Sequence, residues 1–330
     1  MPTKMVLDCD TGVDDTMAIL YATLHPEIDL LAVGSVWGNV DVPLATRNSI
    51  HAVEMCGRAD IPVAMGAAGP INQRPQDIAY HVHGRDGQGN RGTGRPVGPA
   101  APGTAAEQLV RLCREHPGEI EVVAVGPLTN LALALGLDAE LPRLVRGVTI
   151  MGGAALAPGN VSEVAEANIW HDAEAAAAVF TAPWPLTMVG LDVTMRTLMG
   201  PEHVARLRAG GTIAQYQARI MEFYMNFFAE NSFGKPLSCM HDVVAVAIAA
   251  GTLVPTLAPV VNARVDSSDG PGRGQTLCDL RGMYMGYPAQ EGAHCRVVLE
   301  SPSDFGDAFV DLLVAAGDAA IDVSEPADRP

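Results

Sequence analysis

Four aspartates stand close together near the beginning of the chain: Asp8, Asp10, Asp14 and Asp15. The first two are spaced two apart in a predicted strand, which puts their side chains on one side of it. The last two open the next predicted helix, where a carboxylate is favoured by about 0.3–1 kcal/mol. Helix capping explains one or two of the four, but repulsion within the whole group would cost stability unless a cation neutralises it. Because ligands that are all oxygen favour hard cations, the group predicts a Ca²⁺ or Mg²⁺ site.

A second polar group, made of Asn160, Glu166 and Asn168, follows a Met-Gly-Gly segment at residues 151–153. Amides beside a carboxylate suit a polyhydroxyl ligand, because hydroxyls both donate and accept hydrogen bonds. The same residue types are common in turns, so a purely structural role stays open at this point.

Two histidine motifs complete the residues that could carry chemistry. His241 and Asp242 open an apolar helix, where Asp242 could simply cap the helix. His81 and His83 stand in a glycine-rich loop, either as lid residues or as exposed loop residues. Neither motif alone decides between a catalytic and a structural role.

The elements that must position these residues alternate between short β-rich runs and longer stretches with helical periodicity, which is typical of parallel βαβ units. The predicted strands are Lys4–Cys9, Leu30–Val36, Ile61–Met65, Glu119–Val125, Gly147–Met151 and Leu186–Leu191. The predicted helices between them are Asp14–Leu24, Leu44–Cys56, Thr104–His116, Leu128–Leu135 and Ala173–Thr181. Later predicted helices are Pro201–Arg208, Thr212–Asn231, His241–Leu253 and Ser303–Ala316, with short strands and hairpins over Thr256–Glu300.

Each predicted strand of the first part ends in a loop that holds Gly, Asp or Asn, and ligands of open α/β sheets bind at this edge. We therefore predict an α/β protein with a mostly parallel, Rossmann-like central sheet flanked by helices, plus a helical and small β elaboration at the C-terminal end. Residues 1–330 are predicted to form a single domain with a core at about residues 4–316 and a flexible tail at 317–330. The glycine- and proline-rich segment Ala67–Gly103 is predicted to be a lid or binding loop, because it exceeds an ordinary connection.

The charge balance excludes several classes of protein. The chain carries 38 acidic against 21 basic residues, a net charge of −17, and only two of the basic residues are lysines, Lys4 and Lys235. Such a surface repels phosphate backbones and anionic lipids, so neither nucleic acid nor membrane is an expected partner. Schiff-base enzymes and Walker A loops need a lysine that neither position provides.

The remaining composition predicts a reduced, cytoplasmic protein. Six cysteines are scattered without a Cys-x-x-Cys pair, as expected of free thiols. The chain enters its first predicted strand directly, without the basic and apolar regions of a signal peptide. The longest uncharged stretch, Val243–Ala263, contains Gly251, Pro255 and Pro259, so a buried helix followed by a turn explains it better than a membrane span.

Taken together, the motifs resemble the nucleoside hydrolase family, the inosine-uridine-preferring hydrolases of the N-ribosyl bond. Residues 8–15 match the family's Asp-x-Asp-x-Gly-x-Asp-Asp motif, apart from Thr11, where proline is usual. The resemblance extends over about residues 4–316. It continues through Gly38 and Asn39, the His83-Gly84 loop, Val125–Asn130, Met151–Gly153, Asn160, Glu166, Asn168, His241 and Asp242.

The resemblance implies an enzyme that hydrolyses the N-glycosidic bond of ribonucleosides to free base and ribose. It implies Ca²⁺ bound by Asp10, Asp15, Asp242 and the backbone carbonyl of Val125, with Asp10 activating a calcium-bound water as general base. Since family members assemble, a homodimer or homotetramer is expected.

The ribose contacts implied by the resemblance come from Asp14, Asn39, Asn160, Glu166 and Asn168. His241 would help protonate the leaving base, and His83 would be a lesser contact on the base side. A histidine at position 241 is similar to the branch of the family that is not restricted to purines. Aromatic contacts to the base could come from the helical stripe Phe223, Tyr224, Phe227 and Phe228, although such a stripe is also typical of a core.

Residues 236–240 differ from the family's usual spacing before the His-Asp pair. The resemblance therefore defines the role of Asp242 more firmly than the contacts to the leaving group.

Two alternatives belong to other classes. A haloacid-dehalogenase-type phosphatase would use Asp8 and Asp10 with Mg²⁺, and residues 306–311 imitate its metal-binding segment. That chemistry lacks a suitable lysine, since only Lys235 is available, and it leaves Asn160, Glu166 and Asn168 unused. The other alternative is a nucleoside-binding protein without catalysis, against which the presence of Asp10 and His241 argues.

Overall fold

The computed structural model describes residues 1–72, 78–92, 98–321 and 323. Its strands are β1 (Thr3–Cys9), β2 (Ile28–Ser35), β3 (Val63–Met65), β4 (Glu121–Ala124), β5 (Gly147–Met151), β6 (Leu186–Val189), β7 (Leu198–Met199), β8 (Ser238–Cys239), β9 (Val260–Val261), β10 (Ala263–Val265), β11 (Thr276–Cys278) and β12 (Cys295–Val298).

The helices of the described ranges lie between these strands. They are α1 (Val13–Leu24), α2 (Val42–Met55), α3 (Tyr80–His83), α4 (Ala105–Glu115), α5 (Thr129–Leu137), α6 (Leu141–Leu144), α7 (Ala167–His171), α8 (Ala173–Thr181), α9 (Leu191–Thr194), α10 (Pro201–Arg208), α11 (Thr212–Phe228), α12 (His241–Ala250) and α13 (Phe305–Ala316). A π-helical turn at Ala229–Phe233 extends α11, and a 3₁₀ turn covers Met283–Met285.

The central sheet of the described residues has eight strands in the order β3-β2-β1-β4-β5-β6-β12-β9. All neighbours are parallel except β9, which runs antiparallel to β12. The chain moves outward from β1 through β2 to β3 and then returns to place β4 on the other side of β1. Such a reversal of strand order opens a crevice at the carboxyl ends of β1 and β4, where α/β proteins bind ligands.

Apolar residues cover both faces of this sheet, as expected when helices flank a parallel sheet on both sides. Along β1, Met5 and Leu7 join the core under α1, α11 and α12, whereas Val6 joins the core under α4 and α5. Asp8 follows Val6 in this alternation and therefore faces α5. The fold confirms the predicted α/β class with its mostly parallel sheet.

The C-terminal part differs in detail from the predicted elaboration. β12 and β9 extend the central sheet, because Val297 and Val298 of β12 are buried on opposite faces and need cover on both sides. β10 and β11 form a separate antiparallel hairpin, and β7 and β8 pair as another small two-stranded sheet. The sixth strand also ends at Val189, because Gly190 starts the short helix α9 where the prediction continued the strand to Leu191.

The middle described part of the predicted lid Ala67–Gly103, residues 78–92, is fastened to the start of α1 and to α11. Gln88 is buried, its amide nitrogen donates to the Gly12 carbonyl at 3.1 Å, and its amide oxygen accepts from the Tyr216 hydroxyl at 2.9 Å. Residues 73–77 and 93–97 of the predicted lid lie outside the described residues, as do residues 322 and 324–330 of the predicted tail. The six cysteines are free thiols. None of the described helices combines the length and apolar character needed to cross a bilayer.

Candidate active site

The loop from β1 into α1 is held by one of its own carboxylates. Asp15 lies in the first turn of α1, where its Oδ2 accepts from the Gly12 backbone N–H at 2.8 Å and its Oδ1 accepts from the Asp10 backbone N–H at 3.1 Å. These N–H groups have no partner within the helix, so a carboxylate in the first turn satisfies them. Asp15 thus has the capping role that sequence reasoning allowed, and it fixes the backbone of Asp10.

Asn39, from the loop after β2, connects two carboxylates. Its backbone N–H donates to Asp10 Oδ2 at 2.7 Å, and its side-chain amide donates to Asp10 Oδ1 at 3.1 Å and to Asp15 Oδ2 at 2.9 Å. The preceding residue, Gly38, has φ +154°, and a Cβ at this position would stand 2.1 Å from Asp10 Oδ2. The Asp10 carboxylate is therefore oriented by the backbone of the neighbouring strand end.

Three carboxylates converge at the start of α1 and α12. One oxygen each of Asp14, Asp15 and Asp242 lies within 4.8 Å of the others, and all three residues are buried. Asp242 reaches this point because α12 packs beside α1 with its first turn at the same sheet edge. We name Asp10, Asp14, Asp15 and Asp242 the carboxylate cluster. Among the predicted metal ligands, Asp10 lies outside the group of three, and Asp14, predicted to contact ribose, lies within it.

Burial and mutual repulsion raise the proton affinity of the cluster. Burial raises the pKa of Asp10 and of Asp242 well above the usual range, and their carboxylate neighbours raise it further. The pKa of Asp15 rises to about 7 for the same two reasons. Within the described residues, no Lys or Arg forms an ion pair with the cluster. One oxygen of Asp14, Oδ1, is buried and has no hydrogen-bond partner among the residues that the structure describes. These four carboxylates therefore have the composition of a site for a hard cation.

The predicted carbonyl ligand is held from the opposite side. Val125 follows β4, and its carbonyl accepts from the Asn168 side-chain amide at 2.9 Å. The same amide donates to the Met151 carbonyl at the end of β5 at 3.1 Å. A carbonyl oxygen has two lone pairs, so this hydrogen bond leaves one for another partner. Asn168 thus ties the ends of β4 and β5 together at the crevice.

Glu166 caps the short helix that carries Asn168. Its carboxylate accepts from the backbone N–H groups of Asn168 at 3.0 Å, Gly153 at 3.0 Å and Ile169 at 3.2 Å. Burial raises the pKa of Glu166 to about 7, against the opposite effect of these three donors. Asn160 is different, because it is exposed and its side-chain oxygen accepts from the Ala167 N–H at 3.0 Å. Glu166 and Asn168 therefore lie at the ends of β4 and β5. Asn160 lies in the exposed part of the loop between β5 and α7, which we name the rim loop.

Aromatic and histidine rings form the wall opposite the strand ends. Tyr224 of α11 is buried, and its hydroxyl donates to Asp14 Oδ2 at 2.8 Å. The His83 ring stands 5.3 Å from the Tyr224 ring and its Nδ1 accepts from the Val13 N–H at 3.2 Å. Burial lowers the pKa of His83 to about 3, so this ring is neutral. His83 Nδ1 lies 3.6 Å from Asp14 Oδ1.

His241 completes this wall. Its Nδ1 is 2.7 Å from the Thr194 hydroxyl, and its ring lies 5.9 Å from the Phe228 ring. Burial lowers the pKa of His241 to about 4, although the Asp14 carboxylate favours the protonated form. We name His83, Tyr224, Phe228 and His241 the ring wall. Of the four aromatic residues in the predicted stripe, Tyr224 and Phe228 belong to it, whereas Phe223 and Phe227 are half-buried beside it.

Asp8 takes no part in the cluster. Its Oδ1 accepts from the Asn130 amide at 2.8 Å, on the α5 side of the sheet, and burial raises its pKa to about 7. It does not share a side with Asp10, because strand alternation ends at Cys9 and Asp10 lies in the loop beyond. In the segment that imitates a phosphatase motif, Asp307 and Asp311 are exposed and both pair with Arg206 on the surface.

Two residues that sequence reasoning did not single out support the site. The Asp192 carboxylate accepts from the backbone N–H groups of Ala155, Leu156 and Ala157 at 2.7–2.9 Å, so it shapes the loop after β5. Thr194 holds His241. The sequence feature that could have indicated both residues is their position just after a predicted strand. Their partners lie more than thirty residues away in sequence, so the contacts themselves were not predictable from it.

A family model described as "Inosine-uridine preferring nucleoside hydrolase" matches residues 5–304. The chain belongs to this family. The predicted family and the predicted enzyme class, a nucleoside N-ribohydrolase, are thereby confirmed.

Relatives of this nucleoside hydrolase include enzymes with different names. It is 42% identical to probable uridine nucleosidase 2 of Arabidopsis thaliana over 68% of this chain and 70% of the relative. It is 34% identical to the inosine-uridine preferring nucleoside hydrolase of Leishmania major over 96% and 99%. The purine-preferring ribonucleoside hydrolase from Gardnerella vaginalis has a similar structure, with a TM-score of 0.87 at 28% identity, covering 95% of this chain and 99% of that one.

Proposed function

We propose that this nucleoside hydrolase cleaves the bond between ribose and base with the carboxylate cluster at the ribose end and the ring wall at the base end. The observation that carries this proposal is the convergence of buried carboxylates that no Lys or Arg of the described residues neutralises. Such a group is costly in the free protein unless a positive charge arrives. The reaction supplies one, because breaking the C–N bond leaves positive charge on the ribose ring.

Asp10 is proposed as the general base. Its two oxygens are aimed by the Asn39 backbone and side chain, and its raised pKa brings its proton affinity toward that needed to accept a proton from water near neutral pH. Attack of this water on C1′ breaks the bond to the base, and the electron pair of that bond leaves with the base nitrogen. The water proton remains on Asp10 until it exchanges with solvent.

The cation is proposed to be Ca²⁺, held by Asp10, Asp15, Asp242 and the Val125 carbonyl. This buried, all-oxygen donor set fits a hard cation, because no Lys or Arg of the described residues neutralises it. When bound, such an ion would orient the ribose diol and favour deprotonation of water. Asp15 contributes in addition by holding the Asp10 backbone, so its substitution disturbs both the donor set and the base.

The ribose contacts are proposed to come from Asp14, Asn39, Glu166 and Asn168, with Asn160 as a further contact from the rim loop. Tyr224 occupies one oxygen of Asp14, which leaves the other for a ribose hydroxyl. At the base end, His241 assists departure of the base and His83 is a lesser contact. A neutral pair of rings next to Phe228 suits a planar, uncharged base.

Phosphatase chemistry is disfavoured, because Lys235 is exposed and Asp8 faces away from the cluster. Assembly as a homodimer or homotetramer, a cytoplasmic location and a single domain over residues 1–330 stay predictions.

The deciding experiment measures reducing sugar released from inosine, guanosine, adenosine, uridine and cytidine. Both purines and pyrimidines are needed, because the names of the relatives include uridine and purine preferences. Each substrate is assayed after chelation and after restoring Ca²⁺ or Mg²⁺ separately. We expect ribose release that chelation abolishes and Ca²⁺ restores best. Release from no substrate would reject the function, and full restoration by Mg²⁺ alone would reject the proposed ion.

A further inference from the structure

His241 and Thr194 make a short contact beside the ring wall. Thr194 is fully buried in α9, and its hydroxyl oxygen lies 2.7 Å from His241 Nδ1. The two residues come from different elements, since α9 follows β6 and His241 opens α12. This short contact fixes the rotation of the imidazole ring.

The hydrogen-bond partners of the Thr194 hydroxyl decide whether this hydroxyl or His241 Nδ1 is the donor. Among the described residues, the Thr194 side-chain hydroxyl has His241 Nδ1 as its hydrogen-bond partner and no other. If Nδ1 carried the proton, the hydroxyl hydrogen would be left buried without an acceptor, which is unfavourable. The satisfied arrangement has the hydroxyl donating to the Nδ1 lone pair. The ring is then the neutral tautomer that carries its hydrogen on Nε2.

The Nε2 atom is the part of the ring that remains for a substrate. It has no hydrogen-bond partner among the described residues, and it is not one of the enclosed polar atoms that lack one, so it reaches accessible space. Phe228 of the ring wall is the neighbour of the imidazole ring, with 5.9 Å between the two ring centroids. An N–H at this position points at the base end of the site.

We propose that Thr194 is a positioning residue that fixes His241 as the Nε2–H tautomer, so that a neutral imidazole donates a hydrogen bond to the departing base. The inference rests on the proposed function. As the C1′–N bond breaks, its electron pair moves onto the base, and the Nε2–H stabilises this developing negative charge. The hydrogen stays on Nε2, and the base takes its final proton from solvent. A neutral imidazole can act as such an electrophile in an enzyme.

The test compares two leaving groups on the same ribose. Natural nucleosides release a base that needs stabilisation, whereas p-nitrophenyl β-D-ribofuranoside releases a phenolate that is stable without help. Thr194→Val keeps the shape of the side chain and removes the hydroxyl. We expect kcat on inosine or uridine to fall about tenfold to a hundredfold, since loss of a preorganised donor to developing charge costs about 10²–10³ and Thr194→Val only misplaces that donor. Turnover of the aryl riboside should change less than about twofold.

Two further variants separate positioning from packing. Thr194→Ser keeps the hydroxyl and should retain most of the nucleoside turnover. Thr197→Val is the matched control, because Thr197 is equally buried three residues along and its hydroxyl donates to the Val193 carbonyl at 3.2 Å rather than to a site residue. It should affect both substrates equally and only slightly. The aryl riboside also reports that each variant is folded.

The outcomes distinguish the two proposals. If the wild-type protein releases ribose and Thr194→Val lowers both substrates by the same factor, or neither, the positioning role is overturned. The same holds if Thr197→Val reproduces the selective loss. If the wild-type protein releases no ribose from any nucleoside, the proposed function itself fails.

Discussion

The carboxylate cluster and the ring wall meet at Asp14, which both Tyr224 and His83 approach, but the chain builds the two groups in different ways. Asp10, Asp14 and Asp15 lie on one loop and one helical turn, and backbone N–H groups hold Asp10 and Asp15. The ring wall joins distant parts of the chain: Tyr224 meets Asp14 across 210 residues, and His241 meets Thr194 across 47. Its members are held mainly by side-chain contacts.

The difference follows from what each side must do. Buried carboxylates repel one another, so backbone N–H groups must hold them in place. These backbone contacts do not rearrange to compensate when one carboxylate is substituted. Rings around a planar base need only packing and a few directed hydrogen bonds. We infer that the cluster tolerates almost no substitution, whereas the wall can change to suit another base.

The sharpest way to test this contrast is to neutralise the proposed general base. Asp10→Asn keeps the shape and the contact with the Asn39 N–H but removes the proton acceptor. We expect kcat to fall about 10³- to 10⁴-fold, at the upper end of general-base contributions, while ribose still binds. Steady-state kinetics and calorimetric titration with ribose measure the two effects. Turnover near that of the wild type would remove Asp10 from this role.

The next largest effect concerns the cation. Asp242→Asn removes one charge from the cluster and should weaken Ca²⁺ binding about tenfold to a hundredfold, seen as a shift of the Ca²⁺ concentration that raises the melting temperature.

Asp8→Asn is the matched control, because Asp8 is also a buried carboxylate but bonds Asn130 outside the cluster. Its Ca²⁺ dependence should stay within about twofold of the wild type. Equal weakening in both variants would mean that general charge, rather than ligation, governs the affinity.

A smaller effect is expected at the hydrogen bond that joins Tyr224 of the ring wall to Asp14 of the carboxylate cluster. Tyr224→Phe removes the hydroxyl that donates to Asp14 Oδ2 and should raise KM about tenfold, since about 1.5 kcal/mol, the lower end of the contribution of a hydrogen bond to a charged group, corresponds to that factor. In Tyr216→Phe, on the same helix, the lost hydroxyl bonds Gln88, so stability should fall without a comparable rise in KM. A rise of KM in Tyr216→Phe as large as in Tyr224→Phe would show that the helix, not the hydroxyl, matters.

The smallest effect lies outside both regions and leaves catalysis unchanged. Glu121, on β4, accepts from the Thr149 hydroxyl, and burial raises its pKa to about 7 from the ordinary 4.5. A raised pKa means that the folded state binds the proton more tightly, so stability falls as pH rises from about 4.5 to 7 and stays lower above.

Glu121→Gln should remove this part of the pH dependence and stabilise the protein by about 1–2 kcal/mol at pH 8. Denaturant unfolding at pH 5 and pH 8 measures it. An equal effect at both pH values would contradict the assignment to titration.

The same division explains how far the sequence could be interpreted. Local patterns predicted Gly147–Met151, Ala173–Thr181 and Pro201–Arg208 with the bounds that the structure has. They also located the carboxylates at strand ends, because alternation of strands and helices fixes which edge the loops share. The contact of Asn39 with both Asp10 and Asp15 follows from that edge.

The rest depends on tertiary packing. The sequence around Thr194 does not indicate that His241 is its partner. The periodicity of α11 does not show which of its aromatic residues, Phe223, Tyr224, Phe227 and Phe228, belong to the ring wall. The junction of β12 with β6 joins strands more than a hundred residues apart, so the sequence pattern indicated a strand but not its neighbour.

Gly38 shows what this backbone control means for the evolution of the chain. Any side chain there would occupy the place of an Asp10 oxygen, and its φ of +154° disfavours other residues in any case. A mutational scan would therefore find one of its least permissive positions at a residue with no side chain to contribute. Variation that alters the choice of substrate has to arise elsewhere, on the helices that carry the rings.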